Sequence, residues 1–228
     1  MQIARSLLAC CLVLLASGQA SAPPGGTITG EVQVFNQGKL VAKPTDLWVY
    51  LEDERRSSVR PGKGVEEKIT QKDKRFVPRV LVIPVGATVA FPNRDREEHN
   101  VFSPGRSSIP LFDLLRYGPG KSKSQKFLAL GEFDIYCDIH MEMSSTIKVV
   151  PTTRFAPVGS DGTFQFTNVP AGRYKVVAWA PASRDVKSEL IELASGETEK
   201  TQPLHLQKGV LATTHLRKDG LPYDYKQR

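Results

Sequence analysis

Short β-rich runs, each closed by turn residues and with no long amphipathic helical stretch between them, constrain this chain more than any other feature. Residues 27–35 alternate apolar and polar side chains, as a half-buried strand does, and the turn Asn36-Gln37-Gly38 follows. Further strands are predicted at 47–51, 76–83, 87–91, 124–128, 132–137, 145–150, 163–166, 173–179, 186–193 and 199–206. Pro78 within the third run marks an edge or bulge position, because proline donates no ladder hydrogen bond. The stretch 52–74 is polar, contains Pro61-Gly62 and Gly64, and reads as a long exposed connection. Short strands at this spacing predict an all-β chain built from sandwiches. With 228 residues, 40% of them hydrophobic, the chain can bury one good core or two small ones.

The first residues are expected to leave before folding. Arg5 precedes an apolar run at 7–16, and the small residues Ala20-Ser21-Ala22 follow, which is the pattern of a secretory signal peptide over 1–22. Cleavage after Ala20 is the alternative to cleavage after Ala22. Leu8-Ala9-Cys10 weakly resembles a lipoprotein cleavage site, but the apolar run continues beyond Cys10. No later segment approaches the roughly 18 apolar residues of a membrane helix, so no transmembrane segment is expected. The mature protein is expected in the periplasm or secreted. Cys10 and Cys11 leave with the signal, and Cys137 becomes the lone thiol of a chain in an oxidising compartment. Such a thiol must be buried, paired between chains, or bound to metal.

The chain carries 31 basic and 24 acidic side chains, a net of +7, from which the signal removes only Arg5. An exported protein rarely meets nucleic acid, so none is expected as a partner. The excess fits a partner with an acidic surface; ordinary solubilising charge is the other reading.

The segment Cys137-Asp138-Ile139-His140-Met141-Glu142-Met143 brings a thiolate, an imidazole and a thioether within seven residues, directly after a predicted strand. A second histidine, His99, lies just beyond another strand. If both strands end at one pole of a sandwich, these ligands converge there. Thiolate and thioether favour Cu(I), imidazole suits both copper oxidation states, and two His with one Cys and a weak axial Met form a blue-copper site. Zinc uses Cys and His but has no need of the thioether. Zinc therefore accounts for three of the four residues and copper for all of them. Taken singly, a Cys, His or Met is more often a core or surface residue; their joint spacing is what favours metal. The expected ligands are His99, Cys137, His140 and Met143, with Met141 as the other candidate for the axial position.

These residues resemble those of the cupredoxins, the small blue-copper proteins. The Cys-x2-His-x2-Met loop looks most like that of amicyanins and their plastocyanin-like relatives. The pattern Val-Gly-x-Thr-Val-x-Phe-Pro-Asn over 85–93 and His99-Asn100-Val101-Phe102 extend the likeness across about 76–151. Met141 stands where many relatives carry proline. The resemblance implies a Greek-key sandwich holding one type 1 copper ion, and a one-electron carrier rather than an enzyme. It implies that Asn100 ties the ligand loops together, that His140 is the exposed ligand edge, and that Tyr136 lies on an electron path to a redox protein partner. Packing is the plainer role for Tyr136. His205 and His215 lie outside the pattern.

The segments 161–166 and 169–176 are similar to the carboxypeptidase regulatory-like, transthyretin-type sandwich. That family opens on strands like 27–35 and 47–51, which here precede the copper segment. The expected layout is therefore a signal peptide at 1–22, first strands of a flanking sandwich at 24–60, and the cupredoxin at 70–151. The rest of the flanking sandwich follows at 152–208, with a loose polar tail at 209–228. Two consecutive domains are the alternative. Among functions, copper capture or delivery without redox turnover competes with electron transfer, but no Met- or His-rich runs accompany the site. Paired His-x-His, His-Glu-x-x-His and Gly-x-Ser-x-Gly are absent, so no catalytic residues are expected.

Overall fold

The structure is a computed structural model and describes residues 23–43, 45–55, 64–105, 109–209 and 214–223. The signal peptide expected at 1–22 lies outside the described residues, as do parts of the connection expected at 52–74 and of the tail. The fold is all β, with no helix among the described residues. No helix there is long and apolar enough to cross a membrane.

β1 (Gly26–Asn36) alternates buried and half-buried side chains along most of its length, as its sequence alternation requires. Gln37 and Gly38, both at positive φ, turn it back into β2 (Lys39–Leu40). β3 (Trp48–Asp53) follows. The middle of the chain contains β4 (Glu66–Lys68), β5 (Thr70–Lys72), β6 (Arg75–Val77), β7 (Val80–Pro84), β8 (Thr88–Pro92), β9 (Phe102–Ser103), β10 (Phe112–Asp113), β11 (Ser122–Lys126), β12 (Gly131–Tyr136) and β13 (Ser144–Val150). The last third contains β14 (Phe155–Pro157), β15 (Thr163–Val169), β16 (Gly172–Trp179), β17 (Val186–Lys187), β18 (Ile191–Leu193), β19 (Thr198–Lys200) and β20 (Leu204–Gln207).

The early strands pair with the late ones. β1 runs antiparallel to β15 and parallel to β19 and β20. β3 lies between β14 and β16, antiparallel to both. Ile28, Val32, Leu51, Val176 and Leu206 fill the core between these two sheets. The middle strands form their own pair of sheets, β10-β9-β12-β13-β7 and β11-β8-β4, around Phe91, Phe127, Phe133, Ile135 and Ile147.

A third apolar cluster joins the two halves: Tyr50, Val80, Val82, Val150, Val177 and Trp179. Strand parity explains it. On β3, Val49 and Leu51 face the first core while Tyr50 faces the seam; on β7, Ile83 faces the second core while Val80 and Val82 face the seam. β3, β16, β7 and β13 are thus covered on both faces, which is why β7, the first part of β3 and the second half of β16 read as near-continuous apolar runs rather than alternations. The seam's polar groups are paired. Lys148 Nζ donates to both carboxylate oxygens of Asp185 (2.8 and 3.1 Å), Tyr50 donates to Asp185 (3.0 Å), and Trp179 Nε1 donates to Glu132 (3.0 Å).

Three sequence expectations change. The second half of 52–74 is not an exposed connection: β4 and β5 lie there, with Ile69 and Gln71 fully buried. β4 pairs with the distant β8 and its polar side chains hide it, while β5 forms a hairpin with β6 across the turn at Asp73-Lys74. The run 76–83 is broken at the cis Val77–Pro78 peptide into β6 and β7. Runs 186–193 and 199–206 each divide into two short strands, which dock at different points along β16 and β1.

Candidate metal centre

Both ligand-bearing segments emerge at one end of the central sandwich. The chain leaves β8 at Asn93, a fully buried residue whose side chain organises the next turn. Asn93 Oδ1 accepts the Asp95 N–H (2.9 Å), and its Nδ2 donates to the carbonyls of Glu97 (2.8 Å) and Tyr117 (3.2 Å). His99 and Tyr117 then exchange main-chain hydrogen bonds. Tyr117 is held by its hydroxyl, which donates to the Phe91 carbonyl (2.7 Å) and meets the side chain of Gln71. This locks the His99 backbone to the sheet.

The second segment leaves β12 and turns sharply. Met143 N–H donates to the His140 carbonyl (3.0 Å), and Cys137 N–H donates to the Met143 carbonyl (3.3 Å). Cys137, His140 and Met143 therefore share one tight turn. Asn100 links the segments, its Oδ1 accepting the Asp138 N–H and its Nδ2 reaching Asp113 (3.4 Å).

The structure brings three of the four expected ligand residues into a measured cluster. Cys137 Sγ lies 3.9 Å from His99 Nδ1 and 3.7 Å from His140 Nδ1, and the two Nδ1 atoms are 3.2 Å apart. Cys137 and His99 are fully buried, and the His140 side chain is 11% exposed. Met143 is fully buried in the same core cluster as Cys137, whereas Met141 is only partly buried.

The outer ring nitrogens decide the chemistry of the inner ones. His99 Nε2 meets Asp95 Oδ2 at 2.8 Å, and His140 Nε2 meets Glu97 Oε2 at 3.3 Å. A carboxylate accepts only, so each neutral ring carries its proton on Nε2 and presents a bare Nδ1 inward. Two bare nitrogens facing each other cannot satisfy one another, and an ion between them and the sulfur would. Metal–nitrogen bonds of about 2.0 Å and metal–sulfur bonds of about 2.3 Å span at most about 4.0 Å between nitrogens and about 4.3 Å from nitrogen to sulfur. All three separations lie inside those limits. The residues fit a soft, imidazole-binding ion.

Electrostatics agree with the geometry. Burial pushes the Cys137 thiol above its ordinary range, against the opposing pull of backbone groups of Asn100, Ile139 and His140. Burial also lowers His140, with the neighbouring His99 ring adding to it and Glu97 opposing. Burial works against an ionised Asp95. Hydrogen bonds from the Lys74 main chain, the His99 ring and the Asp73 main chain nevertheless hold it below the usual carboxylate range. Glu97 is likewise lowered despite burial, mainly by Lys74, whose Nζ is 3.2 Å away.

Sequence reasoning missed Asp95, Glu97, Asn93 and Tyr117. Asn93-Arg94-Asp95 carried an Asx-turn signal that could have flagged the turn, but not which ring each carboxylate would meet. It also read the tail as loose, whereas residues 214–223 lie against the turn that follows β12. The His215 ring stacks on Tyr136 with centroids 4.0 Å apart, and Tyr223 donates a 2.6 Å hydrogen bond to the Cys137 carbonyl. His205 sits in the other sandwich, its ring edge-on to Phe35.

No family model matches the chain, and no curated protein matches it. Solved structures do. The copper-containing nitrite reductase of Thermus scotoductus SA-01 is 24% identical with a TM-score of 0.36, over 43% of this chain and 27% of that one. This chain thus spans about a quarter of the reductase's length. An amicyanin variant in the Cu(I) state is 18% identical, with a TM-score of 0.35, over 44% of this chain and 99% of that one. A purple cupredoxin from Nitrosopumilus maritimus is 26% identical, with a TM-score of 0.33, over 38% of this chain and 99% of that one.

Proposed function

We propose that His99, Cys137, His140 and Met143 hold one type 1 copper ion and that the protein is a periplasmic or secreted carrier of single electrons. The observation that carries this reading is the buried triangle of two Nδ1 atoms and one thiol sulfur, with each histidine's outer nitrogen on a carboxylate. Copper bound there would supply a one-electron couple whose two oxidation states tolerate the same ligand set. The chain's own part is to keep that set still and dry. Asp95 and Glu97 fix the imidazole tautomers, Asn100 ties the two ligand segments, and Met143, buried in the same core cluster as Cys137, would offer its thioether as the fourth donor. No residue is assigned a catalytic role.

His140 is the reading's exit edge, being the only one of these ligands with exposed side-chain surface. Lys74 pairs with Glu97, and Arg94 and Arg96 are exposed in the same loop as Glu97 and Glu98; with the chain's net charge of +7 this suits a redox protein partner with an acidic contact surface. Tyr136 offers a second path, from Cys137 to the His215 ring. The register of β1 and β3 with the late strands supports a layout in which the copper sandwich is inserted into a split flanking sandwich.

The test is to load the mature chain with Cu(II) and record its visible and EPR spectra. An intense thiolate-to-copper band with narrow hyperfine splitting, abolished in Cys137→Ser, is the expected result. A pale site that releases copper readily would overturn the carrier reading in favour of copper capture or delivery.

A further inference from the structure

The polar tail has the composition of a loose end, yet its described part makes specific contacts with three consecutive residues, the last of β12 and the first two of the ligand turn. His215 stacks on Tyr136 at an interplanar angle of 14° and meets Phe102 edge-on at 6.1 Å. Tyr223 Oη donates to the carbonyl of Cys137. Lys218 N–H donates to Asp138 Oδ1 (2.9 Å), and Arg217 Nε lies 3.8 Å from the same atom. Lys218 Nζ also binds Asp113 Oδ2 (2.8 Å). Asp138 and Asp113 are the two residues that Asn100 holds by its side chain. The segment therefore fastens the Cys137-Asp138 step and binds both of the residues that Asn100 holds.

Its local shape is ordered as well. Arg217 and Leu221 close a turn around Gly220, with Arg217 N–H donating to the Leu221 carbonyl (2.9 Å). The tail follows β20, whose backbone belongs to the flanking sandwich through β1. A chain anchored in one sandwich is thus fastened onto the other sandwich's ligand turn. The Asp138 side chain is 4% exposed, so the groups that the segment supplies replace water at a buried carboxylate.

We propose that residues 214–223 form a strap that holds the ligand turn in place, with Tyr223 and His215 as positioning residues that slow the release of copper. The effect on copper rests on the reading of the preceding subsection; the hold on the turn does not. Tyr223 acts through the Cys137 carbonyl, which restrains the backbone from which the sulfur is suspended. His215 acts through the Tyr136 ring, on the residue just before it. Neither touches the ion. Outer partners of this kind typically change metal affinity by about 10- to 100-fold.

Two measurements test it in the full mature chain, Tyr223→Phe, His215→Ala, His215→Phe, and a chain ending at Gly209. The first is amide hydrogen exchange over residues 137–143 of the metal-free protein. Exchange is expected to accelerate in Tyr223→Phe and His215→Ala and most in the shortened chain, while His215→Phe, which keeps a stacking ring, stays near the parent. The exchange of β1 and β16 reports whether each variant has kept its fold. The second is transfer of Cu(I) to a colorimetric chelator, expected to run about tenfold faster without the strap. Unchanged exchange over 137–143 in all variants would overturn the strap. Faster exchange with unchanged copper transfer would overturn its bearing on the ion. Failure of the parent chain to form a thiolate–copper band would overturn the copper reading, and with it the effect on release, while exchange would still decide the strap.

Discussion

The two sandwiches use burial for different ends. Among the described residues, the flanking core is aliphatic and aromatic, and Thr201, just after β19, is the buried polar residue beside it. The central sandwich buries Gln71, Asn93, His99, Asn100 and Asp138 at one end of its core, beside Cys137 and Met143. Unpaired buried polar groups each cost about 1–3 kcal/mol, so a cluster of them persists only where every member is bonded or serves a site. Here most are bonded to one another's loops; Gln71 is bonded through Nε2 alone, its Oε1 having no partner, and the two Nδ1 nitrogens and the sulfur face one another. The contrast teaches where the molecule keeps stability and where it keeps chemistry.

Three substitutions sharpen that contrast. Leu51→Ala opens a cavity in the flanking core and is expected to cost about 2–5 kcal/mol in urea unfolding. The visible spectrum of the copper-loaded protein should be unchanged by it; a bleached spectrum would show that the seam couples the two cores. Asp95→Asn removes the charge behind the fully buried His99 and replaces an acceptor with a group that can present a donor. Copper affinity should fall about 10- to 100-fold by competition with a chelator, while the melting midpoint moves little. Glu97→Gln does the same to His140 at a more exposed, longer contact, and its loss should stay under about tenfold. Equal losses in the two variants would mean that burial does not set the strength of these carboxylate–imidazole pairs.

The convergence of His99, Cys137 and His140 was legible for a local reason. Cys137 and His140 sit in one turn whose length is printed in the chain, and His99 stands just past a strand with strong alternation. The carboxylates behind the rings were not legible. Asp95 reaches His99 and the Asp73–Lys74 turn only because β5 and β6 fold against the loop after β8, an arrangement without local periodicity. Nor could the polar β4 be recognised as a strand, since its place comes from a partner more than twenty residues away. Tyr223 and His215 carried no pattern at all.

Legible in the amino-acid sequence alone were the all-β class, the alternation of β1, the β-rich runs of β3 and β16, and the thiol, imidazole and thioether within one turn. These are consequences of short-range geometry, the period of a strand and the reach of a turn. Tertiary structure alone decided the third apolar seam, the carboxylate behind each imidazole, and the fastening of the tail onto Cys137. Each of those joins groups far apart along the chain, and such contacts form only where the folded sheets have already brought them within hydrogen-bonding distance.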